Sequence, residues 1–232
     1  MSTPDLRAIF ESLERPCDKF AHYFPLYELH FARFVGARPR ILEVGTQFGG
    51  SAEMWRKYFG EGTSIVGVDI EPRSEDTDYM RLVQGDQGSV EFWHSQFAGQ
   101  DASFDIVIDD GSHDNPHQIT TLLQTWRLLK EGGVYWCEDT HTSYYHDARV
   151  RDGGYRHPRS FVEFAKNLAD VVNAEHTRNA IGVGPIGGPR VPALLVSQFP
   201  GVRGVHFYDS IVVIDKDKPL AFERLIHPGR RP

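Results

Sequence analysis

Three carboxylates stand where two predicted strands end. Asp110 closes the apolar run FDIVIDDG at 104–111, and the pair Glu138 and Asp139 closes GVYWCED at 133–139. Carboxylate oxygens without thiolates suit a hard divalent ion such as Mg²⁺ or Mn²⁺, whereas three uncompensated negative charges would repel one another. The pattern therefore predicts a metal site at these three residues. The alternatives are that Asp109 or Asp110 caps the following helix and that Glu138 pairs with an arginine.

A histidine follows the first of these carboxylates. His113 comes three residues after Asp110, so its imidazole can lie beside a metal without binding it. If a metal holds the hydroxyl group that reacts, a base beside the metal has only to remove the proton of that hydroxyl. Neutral imidazole can accept a proton near neutral pH. We therefore predict that His113 is the general base, with His141 as the next candidate. The alternative is that His113 caps the helix or orients a carboxylate.

The loop after the first predicted strand is rich in glycine. Gly45 and Gly49 allow the backbone to turn tightly and to approach a ligand closely. The dinucleotide fingerprint G-x-G-x-x-G is not met, because Gln47 occupies its middle position. This departure counts against a nicotinamide or flavin enzyme.

Polar side chains also end the second and third predicted strands. Asp69 stands where a carboxylate accepts hydrogen bonds from ribose hydroxyls, and Asp86 with Gln87 is placed to bind the amine of an adenine. Each aspartate could instead cap a helix. Residues suited to ligand binding end three consecutive predicted strands, and together they favour a nucleoside site.

The elements that must position these residues alternate between strands and helices. Strands are predicted at RILEVG, SIVGVDI, RLVQGD, FDIVIDDG and GVYWCED, with helical spacing of apolar residues between them. This order predicts an α/β fold with a doubly wound, mostly parallel sheet and helices on both faces. VRGVHFYDSIVVIDK predicts a C-terminal antiparallel hairpin that turns at Asp209 and Ser210. Apolar spacing in the first residues predicts N-terminal helices, so we divide the chain into a helical extension at 1–36 and a main domain at 37–232.

Two further local predictions concern a helix and a loop. The helix that carries Leu122 and Trp126 is expected to have Asp114 as its N-cap and to close at Gly132-Gly133. The Gly- and Pro-rich stretch at 178–192 is expected to be a loop, either a plain connection or a lid over the site.

Composition narrows the class of protein. The 232 residues include 25 Lys and Arg against 32 Asp and Glu, a net charge of −7, which disfavours nucleic acid and anionic membranes as partners. Cys17 and Cys137 are too few for a disulfide scaffold or a thiolate zinc site. No apolar run approaches the ~18 residues of a membrane span, and the first residues lack the apolar core of a signal peptide. We expect a soluble, cytoplasmic enzyme that acts on a small molecule.

The strand-end motifs resemble a known family. E-V-G-T-Q-F-G-G, then V-D, G-D and F-D-I-V-I-D-D-G, are similar to the successive motifs of class I S-adenosylmethionine-dependent methyltransferases, over roughly residues 40–140. The resemblance implies S-adenosylmethionine as the cofactor. The cofactor-binding residues that it implies are Glu43, Gly45, Thr46, Gly49, Ser51, Asp69, Asp86, Gln87 and Asp109. The main domain at 37–232 would then be the methyltransferase domain.

Three segments narrow the resemblance further. IDDGSHDN, YWCEDTHTSYY and DKFAHYFPLYELHF resemble the metal-dependent sugar O-methyltransferases of antibiotic biosynthesis, of the mycinamicin and macrocin type, with relatives called cephalosporin hydroxylases. The resemblance implies Mg²⁺ at Asp110, Glu138 and Asp139, with His113 as the base. The acceptor would be a sugar hydroxyl of a glycosylated natural product. Relatives of this type commonly assemble, so a homo-oligomer built through the N-terminal helices is a further expectation.

Other interpretations stay open at this point. A metal-dependent catechol-type O-methyltransferase would share the fold, but its base is a lysine near the fourth strand, and the stretch from Asp109 to Trp126 contains none. An iron-dependent oxygenase would require a β-barrel, which the strand-helix order contradicts. A non-catalytic adenosine-binding module would leave the carboxylates without a purpose.

Overall fold

Seven strands form one sheet in the computed structural model, which describes residues 4–147, 149–177, 179–180, 184–185, 189–218 and 227. Within these residues the sheet strands are β1 (Arg40–Val44), β2 (Ser64–Asp69), β3 (Met80–Gln84), β4 (Phe104–Asp109), β5 (Leu129–Cys137), β8 (Val202–Tyr208) and β9 (Ile211–Lys216), while β6 (Asn179–Ala180) and β7 (Gly184–Pro185) make a separate antiparallel pair. The strand order is β3-β2-β1-β4-β5-β9-β8. The first five strands are parallel, and β9 pairs with β5 and β8 in the antiparallel sense. The predicted fold class and the C-terminal hairpin are therefore confirmed.

Helices cover both faces of the sheet. They are α1 (Leu6–Glu11), α2 (Phe24–Phe31), α3 (Gly50–Phe59), α4 (Val90–Gln96), α5 (Asn115–Thr125), α6 (Phe161–Lys166), α7 (Leu168–Val172) and α8 (Ala193–Gln198). Successive residues of β1 point to opposite layers, because Ile41 joins the apolar cluster under α1–α3 and Leu42 joins the one under α4–α7. Burial on both faces explains the continuous apolar runs of the parallel strands.

The N-terminal helices share their core with the sheet. Tyr27 and Phe31 of α2 are fully buried, and their rings pack against Trp55 of α3 and Trp136 of β5. The division of the chain at residue 36 stays a prediction.

The predicted end of α5 at Gly132-Gly133 is wrong. The helix ends at Thr125, a 3₁₀ turn follows, and β5 already begins at Leu129. Gly132 and Gly133 therefore lie inside β5, where the pairing register with β4 shifts. Paired glycines mark a strand irregularity here as readily as they mark a helix end.

Asp114 occupies the N-cap position of α5, but its side chain does not cap the helix. Its carboxylate accepts a hydrogen bond from the Arg151 backbone at 2.8 Å and pairs with the Arg151 guanidinium. A charged partner from a distant loop has taken the oxygens that the cap would have used.

Part of the stretch at 178–192 cannot be compared with its prediction. Residues 178, 181–183 and 186–188 lie outside the described residues, and the predicted lid falls partly on them. In the described part of the chain, no helix is long and apolar enough to cross a membrane.

The segment between α1 and the first 3₁₀ turn, residues 12–20, is called the N-terminal strap here. It runs over the first turns of α3, where Glu53 accepts hydrogen bonds from the backbone N–H groups of Glu14 and Arg15, both at 3.1 Å. Gly50 permits this approach, because a Cβ there would overlap the carbonyl oxygen of Pro16 and the side chain of Cys17. A glycine inside a helix thus serves the close passage of the strap.

Gly50→Ala should loosen the N-terminal strap. Alanine is more favourable than glycine in a helix by about 1 kcal/mol, so helix propensity alone would make the variant more stable. A loss of stability would therefore indicate the clash between the new Cβ and Pro16. The strap must move away, and the half-buried Cys17 thiol, whose pKa burial raises to about 12, becomes more accessible.

Thiol labelling measures this change. We expect faster modification of Cys17 in Gly50→Ala than in the wild type, with the fully buried Cys137 as the internal control. Equal labelling rates at Cys17 would contradict the proposed close passage.

Candidate active site

Two adjoining cavities open at the edge where the parallel strands end. The first is lined by the strap, the loop after β1 and the ends of β4 and β5, and the second lies beside the ends of β2 and β3. Gly45, Gln47 and Asp110 line both cavities. An elongated ligand could therefore extend from one cavity into the other, at the edge where α/β sheets bind ligands.

A buried lysine links the predicted metal ligands. Lys19 of the strap donates a hydrogen bond to Glu138 Oε2 at 2.8 Å and another to Asp110 Oδ2, and its side chain is 2% exposed. Burial lowers the pKa of Lys19, but the charges of Asp110 and Glu138 outweigh burial and raise that pKa well above its usual value. Lys19 is therefore a permanently charged cation inside the carboxylate cluster.

Glu138 uses its oxygens on protein donors. Besides Lys19, it accepts hydrogen bonds at Oε1 from the Tyr27 hydroxyl at 2.6 Å and from Trp136 Nε1 at 3.1 Å. The side chain is 1% exposed and lies among the buried residues of α2 and β5. These three donors leave part of the acceptor capacity of the carboxylate unused, so the role of Glu138 as a metal ligand stays a prediction. Its cationic partner is a lysine, not the arginine of the alternative prediction.

Asp139 and His113 face each other across the first cavity. Asp139 Oδ1 accepts a hydrogen bond from the Tyr23 hydroxyl at 2.5 Å, and Oδ2 lies 3.4 Å from His113 Nε2. Both residues have left-handed backbones, with φ of +53° and +55°, which are uncommon for residues other than glycine. Two neighbouring loops are thus held in sparsely populated conformations that turn these side chains toward one place.

The imidazole of His113 is neutral near pH 7. Burial lowers its pKa, and although Asp139 and Glu138 raise it, the net direction is downward. Its buried Nδ1 makes no hydrogen bond with any residue that the structure describes. Buried polar atoms are nearly always hydrogen-bonded, so an unpartnered nitrogen at this position suits a role in catalysis.

The charges and donor atoms of the cluster fit a divalent cation. With all three carboxylates ionised the cluster carries −3 and Lys19 adds +1, which leaves −2. Burial raises the pKa of Asp110 well above its usual value even beside Lys19, and a bound cation would favour the ionised form. One ligand atom each from Asp110, His113 and Asp139 lies within 4.8 Å of the others. Mg²⁺ binds oxygen at about 2.0–2.1 Å, so small side-chain movements bring Asp110 and Asp139 onto one ion. The structure thus brings all three predicted ligands and the predicted base to the first cavity, where Asp110, His113 and Asp139 lie closest to one another.

The loop after β1 has the features expected of a cofactor loop. Gly45 has φ of +88°, and a Cβ there would overlap the carbonyl oxygen of Asp110. Gly49, at φ of +79°, precedes α3, and Ser51 of the first turn of α3 lines the first cavity. Thr46 lines that cavity as well, and its buried hydroxyl has no hydrogen-bond partner among the described residues. An unsatisfied hydroxyl beside a cavity suits a polar ligand.

Asp69 and Asp86 line the second cavity, as the sequence predicts for a nucleoside site. Asp69 accepts hydrogen bonds from the backbone N–H groups of Gln47 at 2.8 Å and Glu71 at 2.9 Å, and Asp86 accepts one from Gly88 at 2.7 Å. A carboxylate has about four acceptor positions, so both retain capacity for a ligand.

Asp109 and Glu43 do not reach either cavity, contrary to the expectation that they contact the cofactor. Asp109 is 1% exposed and accepts hydrogen bonds from Gln87 Nε2 at 3.0 Å and the Tyr135 hydroxyl at 3.2 Å. Burial raises the pKa of Asp109 to about 6. Glu43 is fully buried and accepts a hydrogen bond from Trp55 Nε1 at 3.0 Å.

Gln87 lines the second cavity but also supports the loop after β4. Its Oε1 accepts a hydrogen bond from the Ser112 backbone at 2.6 Å, while its Nε2 donates to Asp109 and Thr121. Gln87 and Asp109 therefore position the loop that presents Asp110 and His113.

Sequence reasoning missed Lys19. It precedes Asp110 by 91 residues and Glu138 by 119, and it lies in a segment without helical or strand periodicity. One signal was available, because Lys19 belongs to the segment DKFAHYFPLYELHF, which carries part of the family resemblance.

Comparison with known proteins returns methyltransferases. The signature of a methyltransferase domain matches residues 42–140. The chain is 34% identical over 206 residues to the 8-demethyl-8-(2-methoxy-alpha-L-rhamnosyl)-tetracenomycin-C 3'-O-methyltransferase of Streptomyces olivaceus. The matched region is 85% of this chain and 50% of the relative. The chain is 30% identical over 228 residues to the mycinamicin VI 2''-O-methyltransferase of Micromonospora griseorubida, which covers 93% and 53%. The chain thus spans about half the length of the curated relatives it matches.

Solved structures give the same picture. MycE methyltransferase from the mycinamycin biosynthetic pathway, in complex with Mg and SAH, is 27% identical, with a TM-score of 0.75 over 94% of this chain and 55% of that chain. Its complex with Mg, SAH and mycinamycin VI has a TM-score of 0.73 over 93% and 54%. The likeness therefore includes the N-terminal helices as well as the sheet.

Lys19→Met should destabilise the protein strongly. The variant leaves Asp110 and Glu138 without their buried cation, and removal of one partner of a buried ion pair costs roughly 3–5 kcal/mol. Lys130→Met is the matched control, because Lys130 pairs with Asp105 but is 40% exposed, and an exposed pair contributes at most about 1 kcal/mol.

Urea denaturation at neutral pH with a chelator present, followed by tryptophan fluorescence, compares the two variants. We expect a much larger drop in the unfolding free energy for Lys19→Met. Equal losses in the two variants would show that Lys19 is not a structural cation of the cluster.

Proposed function

The chain belongs to the class I S-adenosylmethionine-dependent methyltransferases, and we propose that it is a Mg²⁺-dependent O-methyltransferase. It would transfer a methyl group from S-adenosylmethionine to a sugar hydroxyl of a glycosylated natural product. The observation that carries the proposal is the junction of the two cavities at Asp110. One cavity has the features of a nucleoside site, and the other holds a carboxylate cluster with a net charge of −2. Cofactor and metal-bound acceptor would therefore meet at this junction.

The second cavity would hold the adenosine part of the cofactor, with the ribose at Asp69 and the adenine amine at Asp86. The main chain at Gly45 and the Thr46 hydroxyl would bind the methionine part in the first cavity. Bound S-adenosylmethionine supplies an electrophilic methyl group on a sulfonium. The strap, through Pro16 to Lys19, forms part of the wall of this cavity.

Asp110, Glu138 and Asp139 would hold Mg²⁺, with Lys19 shared between Asp110 and Glu138. A bound Mg²⁺ aligns the acceptor hydroxyl and lowers its pKa. Tyr23 fixes the carboxylate of Asp139, and Lys19 fixes that of Asp110. These contacts hold the ligand oxygens in place before an ion arrives, which reduces the cost of ordering them.

His113 would accept the proton of the acceptor hydroxyl. With the Nε2 hydrogen directed toward Asp139, the lone pair remains on Nδ1, which makes no hydrogen bond with the described residues. The lowered pKa keeps the ring neutral, as a base requires. Asp139 would then stabilise the imidazolium that forms.

Exposed aromatic side chains beside the first cavity support a glycoside as the acceptor. Phe20 and Tyr145 are 52% and 48% exposed, and both rings pack edge-on against His141 at 6.1 and 5.2 Å. His141 Nδ1 lies 4.0 Å from Asp139. Aromatic surface next to carboxylates suits a molecule with an apolar body and neighbouring hydroxyls. The names of the curated relatives point to the same class of acceptor.

Lys19 bears on the catechol-type alternative, whose base is a lysine near the fourth strand. Although Lys19 is distant in sequence, it contacts Asp110 at the end of β4. It is nevertheless a poor base, since the charges of Asp110 and Glu138 keep it protonated despite burial. The structure therefore favours His113. Assembly through the N-terminal helices and a cytoplasmic location stay predictions.

The direct test is an assay with labelled S-adenosylmethionine, Mg²⁺ and a panel of macrolide and aromatic polyketide glycosides with free deoxysugar hydroxyls. We expect methylation of at least one glycoside and none of the aglycones. Transfer to catechols alone would favour the alternative enzyme class. Tight cofactor binding without transfer to any acceptor would favour a non-catalytic module.

Asp69→Ala should weaken cofactor binding. Loss of hydrogen bonds to a charged group costs about 1.5–3 kcal/mol, which corresponds to about one to two decades in Kd. Asp76→Ala is the control, because Asp76 also accepts a backbone hydrogen bond but lines neither cavity. Calorimetry with S-adenosylhomocysteine that gives the same Kd for Asp69→Ala and the wild type would reject the assignment.

Asp139→Asn should separate metal binding from cofactor binding. Losing a charged ligand should weaken Mn²⁺ binding and abolish methyl transfer, while the Kd for S-adenosylhomocysteine remains close to that of the wild type. Electron paramagnetic resonance measures free Mn²⁺, and Asp105→Asn, at the Lys130 ion pair, serves as the control. Full activity after exhaustive chelation would refute the metal requirement.

His113→Gln should keep both ligands but lose the chemical step. Glutamine can still form a hydrogen bond with Asp139 but cannot take a proton near neutral pH, so the rate should fall roughly 10²–10⁴-fold. Single-turnover transfer at saturating cofactor and Mg²⁺ measures this step. A variant that keeps most of the wild-type rate would assign His113 a structural role and make His141 the next candidate.

A further inference from the structure

A second group of potential metal ligands lies away from the candidate active site, between α2 and the C-terminal hairpin. His30 of α2, His206 of β8 and Asp215 of β9 each offer one ligand atom, and these atoms lie within 4.8 Å of one another. His206 Nε2 is 2.8 Å from Asp215 Oδ2, and the two imidazole rings are 5.0 Å apart. Neither cavity of the candidate active site includes these residues.

The spacing suits a shared ion. Two ligands that bind one tetrahedral metal ion at about 2.0–2.2 Å lie about 3.3–3.6 Å apart, so His206 Nε2 and Asp215 Oδ2, now 2.8 Å apart, need to separate only slightly. The hydrogen bond that now joins these atoms would be replaced by two metal bonds with little movement. His30 is 7% exposed, and one of its ring nitrogens already lies within 4.8 Å of the other two ligand atoms.

Neighbouring groups hold the three side chains in position. Arg33 lies 3.2 Å from Asp215 Oδ1, the oxygen that does not contact His206. His30 Nε2 lies 2.9 Å from the Tyr208 hydroxyl, which fixes the orientation of its ring. Outer contacts of this kind orient ligands in known metal sites.

We propose that His30, His206 and Asp215 form a second metal site, which takes a borderline transition-metal ion such as Zn²⁺. Two imidazole nitrogens and one carboxylate oxygen favour Zn²⁺ over Mg²⁺, because Mg²⁺ prefers an all-oxygen shell. Water completes the coordination. The site requires none of the proposed methyl-transfer chemistry.

The bound ion would join the N-terminal helices to the end of the sheet. His30 lies one turn after Tyr27, whose hydroxyl contacts Glu138 in the active site. A metal that holds His30 on β8 and β9 would therefore also restrain the helix that supplies this contact. Because such an ion binds the folded chain, it raises the stability of the protein.

The experiment uses the full chain in the Asp139→Asn background with saturating Mg²⁺, so that the active-site carboxylates do not compete. Zn²⁺ is titrated calorimetrically, and Co²⁺ is used as a spectroscopic probe of nitrogen ligands. We expect one equivalent of Zn²⁺ to bind, a visible Co²⁺ spectrum, and a melting temperature that rises with Zn²⁺ concentration.

His206→Ala and Asp215→Asn should each weaken Zn²⁺ binding at least tenfold and remove the Co²⁺ spectrum. His94→Ala, at an exposed position of α4, is the control and should bind Zn²⁺ as the parent does. His30→Gln provides a third variant, which retains a hydrogen-bonding side chain if either of the others fails to fold. The absence of Zn²⁺ binding, or equal Kd values in the parent and a folded ligand variant, would overturn the proposal.

Discussion

The contact of one buried ammonium with two carboxylates sets the conditions for the rest of the site. Lys19 joins the N-terminal strap to the ends of β4 and β5 through Asp110 and Glu138. Without this cation the edge of the sheet would carry three negative charges that repel one another in a medium of low dielectric constant. With it, the remaining charge matches one divalent ion. Lys19 thus holds the strap against the sheet and fixes the carboxylate of Glu138. It also determines how much negative charge is left for a metal to neutralise.

The tyrosines of the N-terminal region extend this arrangement. Tyr27 donates to Glu138 and Tyr23 to Asp139, so each residue of the acidic pair after β5 has its own hydroxyl donor. Both rings are almost completely buried and pack edge-on against each other, which fixes the positions of the hydroxyls. The α2 region therefore acts as a wall of the active site and carries polar contacts as well as core packing.

The sequence predicts well what depends on local pattern. Apolar runs locate the strands, and their ends locate Asp69, Asp110 and Asp139, because parallel strands must bring these residues to one edge. Pairings between distant segments are harder to predict, since no local pattern marks Lys19 as the partner of Asp110. Gly132 and Gly133 mislead because glycine signals a helix end and a strand irregularity alike. The roles of Glu138 and Asp109 depend on the direction of a buried side chain, which spacing alone does not determine.

The strap has a consequence for how the domain is delimited. The methyltransferase signature at 42–140 includes every strand end of the site and all three carboxylates, but none of Lys19, Tyr23 and Tyr27. A fragment cut at those limits would keep the recognisable motifs and lose the groups that neutralise and orient them. The smallest unit that motif searches detect is therefore smaller than the smallest unit that can assemble this site, and fragments for expression should begin upstream of the strap.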